Sequence, residues 1–309
     1  MKIVAVEPIG ISPAKAEEIK NHFLKQKHEF VLYADRNEDP AVLIHRIQDA
    51  DVIIISNIPL PESILSTANK LKLISVAFTG IDHIDTNYCQ KHNIEIRNAS
   101  GYATHAVSEL TIGLILDVYR HLSTMETQTR KLQTRNNVLG RELYGKTVGI
   151  IGTGAIGRHT AILLKSLGCH VIAWSRTKHP EMIENGISYV ELDDLLRQSD
   201  IVSLHIPLTN ETHQLISKEK IALMKPNAIL INTARGKIVD NRALATALIE
   251  NKISGTGIDV FEMEPPLPEN HPLLKAPNCV VKPHIGYATR EAFDKRIEIV
   301  INNINTFLS

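Results

Sequence analysis

The chain lacks a surplus of charge. Its 34 Lys and Arg are matched by 34 Asp and Glu, so no overall basic field exists to recruit nucleic acid or an anionic membrane, and small neutral or singly charged ligands fit better. Cysteine is scarce as well. Cys89, Cys169 and Cys279 are scattered, with neither CxxC nor metal-ligand spacing, which argues against a disulfide framework and against a metal site. Reduced, mostly buried thiols in a cytoplasmic protein are the expectation. Long apolar runs are missing too: nothing approaches the roughly 18 residues of a membrane span. The N-terminal MKIVAVEPIG meets Glu7 and Pro8 after a short apolar stretch, unlike a secretory leader.

What is present is length enough for two ordinary domains, 309 residues with 43% hydrophobic, typical of a compact α/β protein. Residues 1 to about 100 alternate strand and helix patterns: KIVAV, a helix from Pro13 to Lys25, EFVLY, a helix near Ala41 to Gln48, DVIIIS, LKLISVAF and IEIRN. This predicts a parallel sheet without a phosphate-binding glycine loop. Thr104 to His121 has helical apolar spacing and no proline, apolar on most faces and hence expected to be buried between lobes or subunits. A polar stretch, Thr124 to Asn137, follows. Beyond it, TVGII, HVIAW, DIVSLHI, NAILINT, TGIDVF and NCVVKPH predict a second, fuller parallel sheet, with helices near Lys218 to Met224 and Asn241 to Glu250. The last segment, Thr289 to Phe307, is helical and can return to the first lobe, which predicts a cleft with ligands at the carboxyl ends of strands.

The strand TVGII runs directly into GTGAIG, with glycines at 152, 154 and 157. In a dinucleotide-binding unit Gly152 makes the tight turn, Gly154 lets backbone approach a pyrophosphate, and Gly157 lets helix pack on strand. Ala155 and Ile156 open the helix whose N-H groups and positive dipole end would face the phosphates. A glycine-rich turn in an ordinary βα unit is the alternative. The surroundings favour the ligand: AILLKSLG reads as a helix stopped at Gly168, and HVIAW as the next buried strand. That second strand then ends without the acid that would hold ribose hydroxyls. Ser175 stands 18 positions after Gly157, followed by Arg176, Thr177 and Lys178. Hydroxyls and two cations suit a 2′-phosphate, so NADP(H) is expected, with NAD(H) the alternative if Arg176 and Lys178 are only solvated loop charges.

Three further strand ends carry reactive side chains: Arg235 in NTARG, Glu264 in DVFEMEP and His284 in KPHIG. If the strands stop at Thr233, Val260 and Lys282, all three lie on the same sheet edge as Gly152. Reducing a 2-keto acid needs a cation for the carboxylate, for which Arg235 is suited, and a proton donor for the carbonyl oxygen, for which His284 titrates in range. Glu264 is suited to orient the other imidazole nitrogen. Each also has a structural alternative: a loop charge, one of several acids beside prolines, and a hydrogen-bonded histidine. Spacing alone does not bring them together.

GTGAIG, HIPLT with Thr212 beyond it, NTARGKIVD, GIDVFEMEPPLP and KPHIG, in this order from about residue 70 to 290, resemble the D-isomer-specific 2-hydroxyacid dehydrogenase family. The resemblance implies an α/β fold of two Rossmann-like domains with parallel sheets. The catalytic, flavodoxin-like domain would be assembled from both chain termini (residues 1–101 and 287–309), with the dinucleotide-binding domain at 102–286. It also implies Arg235, Glu264 and His284 as the catalytic set. Pro207, Thr212, Thr233, Ala234 and Asp259 would lie along the cofactor, with Asp259 near the nicotinamide carboxamide. Phe78, Thr79 and Gly80 would join Arg235 and His284 at the substrate; read by itself, that loop is equally a strand-to-helix turn capped by Asp82 or Asp85. A homodimer is expected. No regulatory domain is expected after Ser309, and Phe78 stands where a phosphate-binding member would profit from a basic residue, so small unphosphorylated 2-keto or 2-hydroxy acids are favoured over phosphoglycerate. A dinucleotide-gated corepressor-like interaction protein, and phosphite or formate dehydrogenase chemistry on the same scaffold, are the alternatives.

Overall fold

The computed structural model describes residues 1–309 and divides into two compact units, Met1–Ala103 with Ala288–Ser309, and Thr104–Tyr287. No helix is long and apolar enough to cross a membrane.

The first unit alternates β1 (Lys2–Ala5), α1 (Pro13–Lys25), β2 (Glu29–Leu32), α2 (Pro40–Ile47), β3 (Val52–Ile55), α3 (Glu62–Leu65), β4 (Leu73–Val76), α4 (Thr86–Lys91) and β5 (Glu95–Asn98). The strands form one parallel sheet in the order β2-β1-β3-β4-β5. Its middle strands are short runs of Ile, Val and Leu because both faces are covered, the pattern a parallel sheet requires. Helix starts are written locally: Ser12 accepts from the Lys15 N-H ahead of Pro13, and Asp39 from Ala41 ahead of Pro40.

The second unit contains α5 (Thr104–Arg120), α6 (Leu122–Arg130), β6 (Thr147–Ile151), α7 (Ala155–Ser166), β7 (His170–Trp174), α8 (Pro180–Glu184), β8 (Ser188–Tyr189), α9 (Leu192–Gln198) and β9 (Ile201–Leu204). It continues through α10 (Lys218–Ile221), β10 (Ile229–Asn232), α11 (Asn241–Ile249), β11 (Gly255–Ile258) and β12 (Cys279–Val281). Seven parallel strands are ordered β12-β11-β10-β9-β6-β7-β8. The chain's last helix, α12 (Arg290–Leu308), belongs to the first unit and lies on β4 and β5, where the Arg97 guanidinium donates to Asn303 O at 2.9 Å.

Two differences from the sequence expectations are instructive. The polar stretch from Thr124 holds most of α6, which buries no residue and so shows no apolar period; an Arg130–Glu126 ion pair one turn apart supports it. Helix α5 has its apolar faces covered inside its own unit by α7, β10 and β11. The surplus apolar surface lies beyond it, at Leu122, Leu132, Leu139 and Tyr144, all exposed. Burial pushes the free thiols up, to about 11 at Cys89 and Cys169 and about 12 at Cys279, so none is poised as a thiolate.

Candidate active site

Each glycine of the loop after β6 has its own geometry. Gly152 adopts φ +96°, and a Cβ there would sit 2.5 Å from the His205 carbonyl oxygen. At Gly157 a Cβ would come within 1.9 Å of Gly152 O, so only glycine lets α7 start against the turn. A Cβ on Gly154, by contrast, would meet nothing within 4 Å. The backbone is open there, and Ala155 and Ile156 begin α7 with N-H groups that have no acceptor inside the helix. The residues present therefore fit a pyrophosphate.

The loop after β7 is tied to that turn. Gly152 N donates to Trp174 O at 2.8 Å, and Thr153 Oγ1 donates to Thr177 O at 3.3 Å. Tyr189 Oη donates to Thr153 Oγ1 at 3.1 Å while accepting from the His179 N-H, also at 3.1 Å. Ser175, Arg176, Thr177 and Lys178 ride on this braced backbone, Arg176 and Lys178 exposed and without an ion pair. Arg158, in the first turn of α7, borders the same loop through His179 at 2.8 Å and Glu181 at 3.2 Å.

Across the sheet, β10, β11 and β12 stop at Asn232, Ile258 and Val281, one or two residues sooner than the sequence suggests. Being parallel neighbours, they release Arg235, Glu264 and His284 at the edge that carries Gly152. Asn232, fully buried, shapes the first loop: its carbonyl accepts from Ala234 N at 3.0 Å and its amide donates to Arg235 O at 2.9 Å. Thr233 is tied by its hydroxyl to Thr111 of α5 at 3.1 Å.

His284 holds the left-handed conformation, φ +56°, unusual for a histidine. Asp259 over-determines that turn. Its main-chain oxygen accepts from His284 N at 2.8 Å, and its two carboxylate oxygens take Ile285 N at 2.8 Å and Gly286 N at 2.7 Å. The carboxyl is 1% exposed, and burial raises its pKa against the pull of those two amides. So held, His284 presents Nδ1 to both oxygens of Glu264, at 3.0 and 2.9 Å, and stands edge-on to Tyr287. Nε2, at the far side of the ring, is left as the other proton-carrying atom.

The loop after β9 is pinned by Thr212, whose hydroxyl donates to Pro207 O at 2.7 Å and accepts from Thr209 N at 2.8 Å. His205, at its start, faces Ser203 Oγ at 2.9 Å; burial pushes its pKa down to about 4, so the ring is neutral. Phe78, Thr79 and Gly80 follow β4 in the first unit. Phe78 lies under the Arg296 guanidinium, 5.3 Å from the ring centre, and edge-on to Tyr102, while Asp85 caps α4 by accepting from Tyr88 N. Asn232, Thr153 and Tyr189 were not singled out from the sequence. Asn232 had a signal, an Asn at a strand end two residues before Ala234, whereas Tyr189 reaches the loop from a two-residue strand that periodicity does not reveal.

Residues 112–286 match the family described as D-isomer specific 2-hydroxyacid dehydrogenase, NAD binding domain. A glyoxylate reductase of Thermococcus litoralis is 38% identical over 295 residues, covering 92% of this chain and 88% of the relative. A hydroxypyruvate reductase of Blautia hydrogenotrophica is 33% identical over 317, covering 100% and 97%. Among solved structures, D-lactate dehydrogenase of Aquifex aeolicus, complexed with NAD and lactic acid, superposes with a TM-score of 0.88 at 32% identity, covering 100% of this chain and 95% of that one. The chain belongs to the D-isomer specific 2-hydroxyacid dehydrogenase family and is an oxidoreductase that uses a nicotinamide dinucleotide.

Proposed function

We propose that this enzyme reduces small unphosphorylated 2-keto acids, of the glyoxylate and hydroxypyruvate class, to D-2-hydroxy acids, with NADPH preferred over NADH. The observation that carries the reading is the braced His284–Glu264 pair at the edge where β6 delivers the glycine loop. A bound reduced nicotinamide would supply the hydride. Arg235 binds the substrate carboxylate, a contact that fixes which carbon faces the cofactor. His284 gives a proton from Nε2 to the carbonyl oxygen as negative charge develops there. Glu264 accepts from Nδ1-H, which fixes the ring's orientation and leaves Nε2 as the atom that faces the reacting oxygen. Asn232 and Asp259 do not react; they hold the Arg235 loop and the His284 turn in place. At the other end of the site, Arg176 and Lys178 on the braced loop suit a 2′-phosphate and repel nothing on it. The relatives' printed activities agree with the substrate class.

Replacing His284 by Ala should lower turnover on glyoxylate about 10²–10⁴-fold while cofactor affinity stays within a factor of about two. Turnover within about threefold of wild type would remove His284 from the reaction. The exposed apolar side chains of α6 and the arm after it, Leu122, Leu132, Leu139 and Tyr144, support a homodimer as part of the same reading. Light scattering at micromolar concentration should give about twice 34.4 kDa, and a single-chain mass would contradict it.

A further inference from the structure

A cation buried in the first unit, Arg296, has no part in the reaction proposed above. It lies in the second turn of α12 and is 3% exposed. Its guanidinium carbon stands 4.1 Å from the Phe293 ring centre, 5.3 Å from that of Phe78 and 6.0 Å from that of Tyr102, and its Nη2 donates to Ile9 O at 2.7 Å. Gly10 lets the chain come this near: a Cβ on it would lie 2.3 Å from the Phe293 ring and 2.9 Å from Arg296 Nη2. Burying a charge costs free energy that a hydrocarbon side chain of similar length would not incur. What the guanidinium adds is direction, since it is drawn to the faces of aromatic rings, whereas a hydrocarbon packs on any side of them.

One of those rings begins the loop after β4. Phe78 is half-buried, and Tyr102 meets it edge-on with ring centres 6.1 Å apart. The main chain of the loop is held from the end of β5: Phe78 O accepts from Ala99 N at 3.0 Å, and Thr79 O accepts from Asn98 Nδ2 at 2.6 Å. Its leading side chain is held from α12, which packs on β4. We propose that Arg296 is a positioning residue for substrate binding: it fixes the Phe78 ring, and through it the Thr79 and Gly80 backbone that receives the keto acid. This rests on the keto acid reduction proposed above and on the substrate contact that the family resemblance implies for residues 78–80. Arg235, Glu264 and His284 are set by loops of the second unit, so a Phe78 ring released from Arg296 weakens substrate binding far more than it slows turnover.

The test is a double-mutant cycle on the full chain, read by steady-state kinetics with glyoxylate and NADPH and by amide hydrogen exchange. Arg296→Met keeps the length and removes the charge; it should raise KM for glyoxylate about 5- to 30-fold, with kcat within about threefold and NADPH affinity within about twofold of wild type. In a Phe78→Leu background the same substitution should move KM by less than about twofold, because the ring through which it acts is gone. Arg296→Lys covers the case in which Met is not tolerated: it keeps a cation, loses the planar stack, and should still raise KM about threefold or more. Exchange at the Ala99 amide, whose acceptor is Phe78 O, should speed up at least about tenfold in either variant while the amides of β3 keep their rates. An unchanged KM in a folded variant, an equal fall in kcat, or the same KM rise with Phe78 replaced would each overturn the proposal. A wild type that does not reduce glyoxylate would remove the proposed function instead, and unchanged exchange at Ala99 would then by itself overturn the role of Arg296.

Discussion

The two sheets place the same structural position under opposite chemistry. In each, the first strand sits where the strand order reverses, β1 between β2 and β3, β6 between β7 and β9, and the crevice beyond such a strand is where open α/β sheets bind ligands. Beyond β1 the chain puts Glu7, 2% exposed, with Oε1 accepting from Ser56, Asn57 and Ile58 N-H at 2.7, 3.1 and 3.3 Å and Oε2 meeting Arg36 at 2.7 Å. The first sheet carries its own anion there. Beyond β6 the chain puts Gly152, Thr153 and Gly154, a turn that is open at Gly154 and leaves the helix N-H groups unspent. Topology offers an anion-binding crevice twice, and a few residues decide whether protein or ligand fills it.

This contrast can be broken at either sheet. Gly157→Ala should have the largest effect, since its methyl would lie 1.9 Å from Gly152 O: the turn must shift, and NADPH affinity should fall by about 100-fold or more with loss of thermal stability. Gly154→Ala separates ligand from fold. Its methyl enters open space, so the melting temperature should hold while NADPH binds at least about tenfold more weakly. If Gly154→Ala binds NADPH as wild type does, the open crevice is not the phosphate site. In the first sheet, Glu7→Ala strips three amides of their acceptor and takes one of three acceptor side chains from Arg36, which keeps Glu38 and Asn57, and urea denaturation should show a loss of about 2–4 kcal/mol with NADPH affinity unaltered. A loss below about 0.5 kcal/mol would mean that water serves those amides as well as the carboxylate does.

The sequence was most readable where local rules and tertiary needs agree. The helix Pro13–Lys25 and the strand His170–Trp174 have the bounds their patterns predict, because a cap and proline begin the one and a short apolar run that starts just after Gly168 defines the other. The glycine spacing likewise states a backbone requirement that no other residue meets. Helix α6 was not readable, since it buries nothing and the support the structure shows for it is local, an Arg130–Glu126 ion pair and Thr hydroxyls bonded one turn back. The bracing of the site was hidden for another reason: Asp259 gripping residues 285 and 286, and Tyr189 reaching Thr153, are contacts across strands whose partners no spacing rule specifies.

Cofactor choice tests the central claim most directly, because it asks whether the open crevice and the Ser175–Lys178 loop act together as a site for NADPH. Specificity constants for NADPH and NADH should be measured with glyoxylate in the wild type and in the double variant Ser175→Asp, Arg176→Ala. A guanidinium on the 2′-phosphate is a charge-assisted contact of roughly 1.5–3 kcal/mol, so NADPH should be favoured by about 10- to 100-fold, and the double variant should reverse the order without changing the keto acids accepted. Equal constants for both cofactors in the wild type, or a double variant that keeps its preference for NADPH, would contradict the account and return Arg176 to the role of a solvated loop charge.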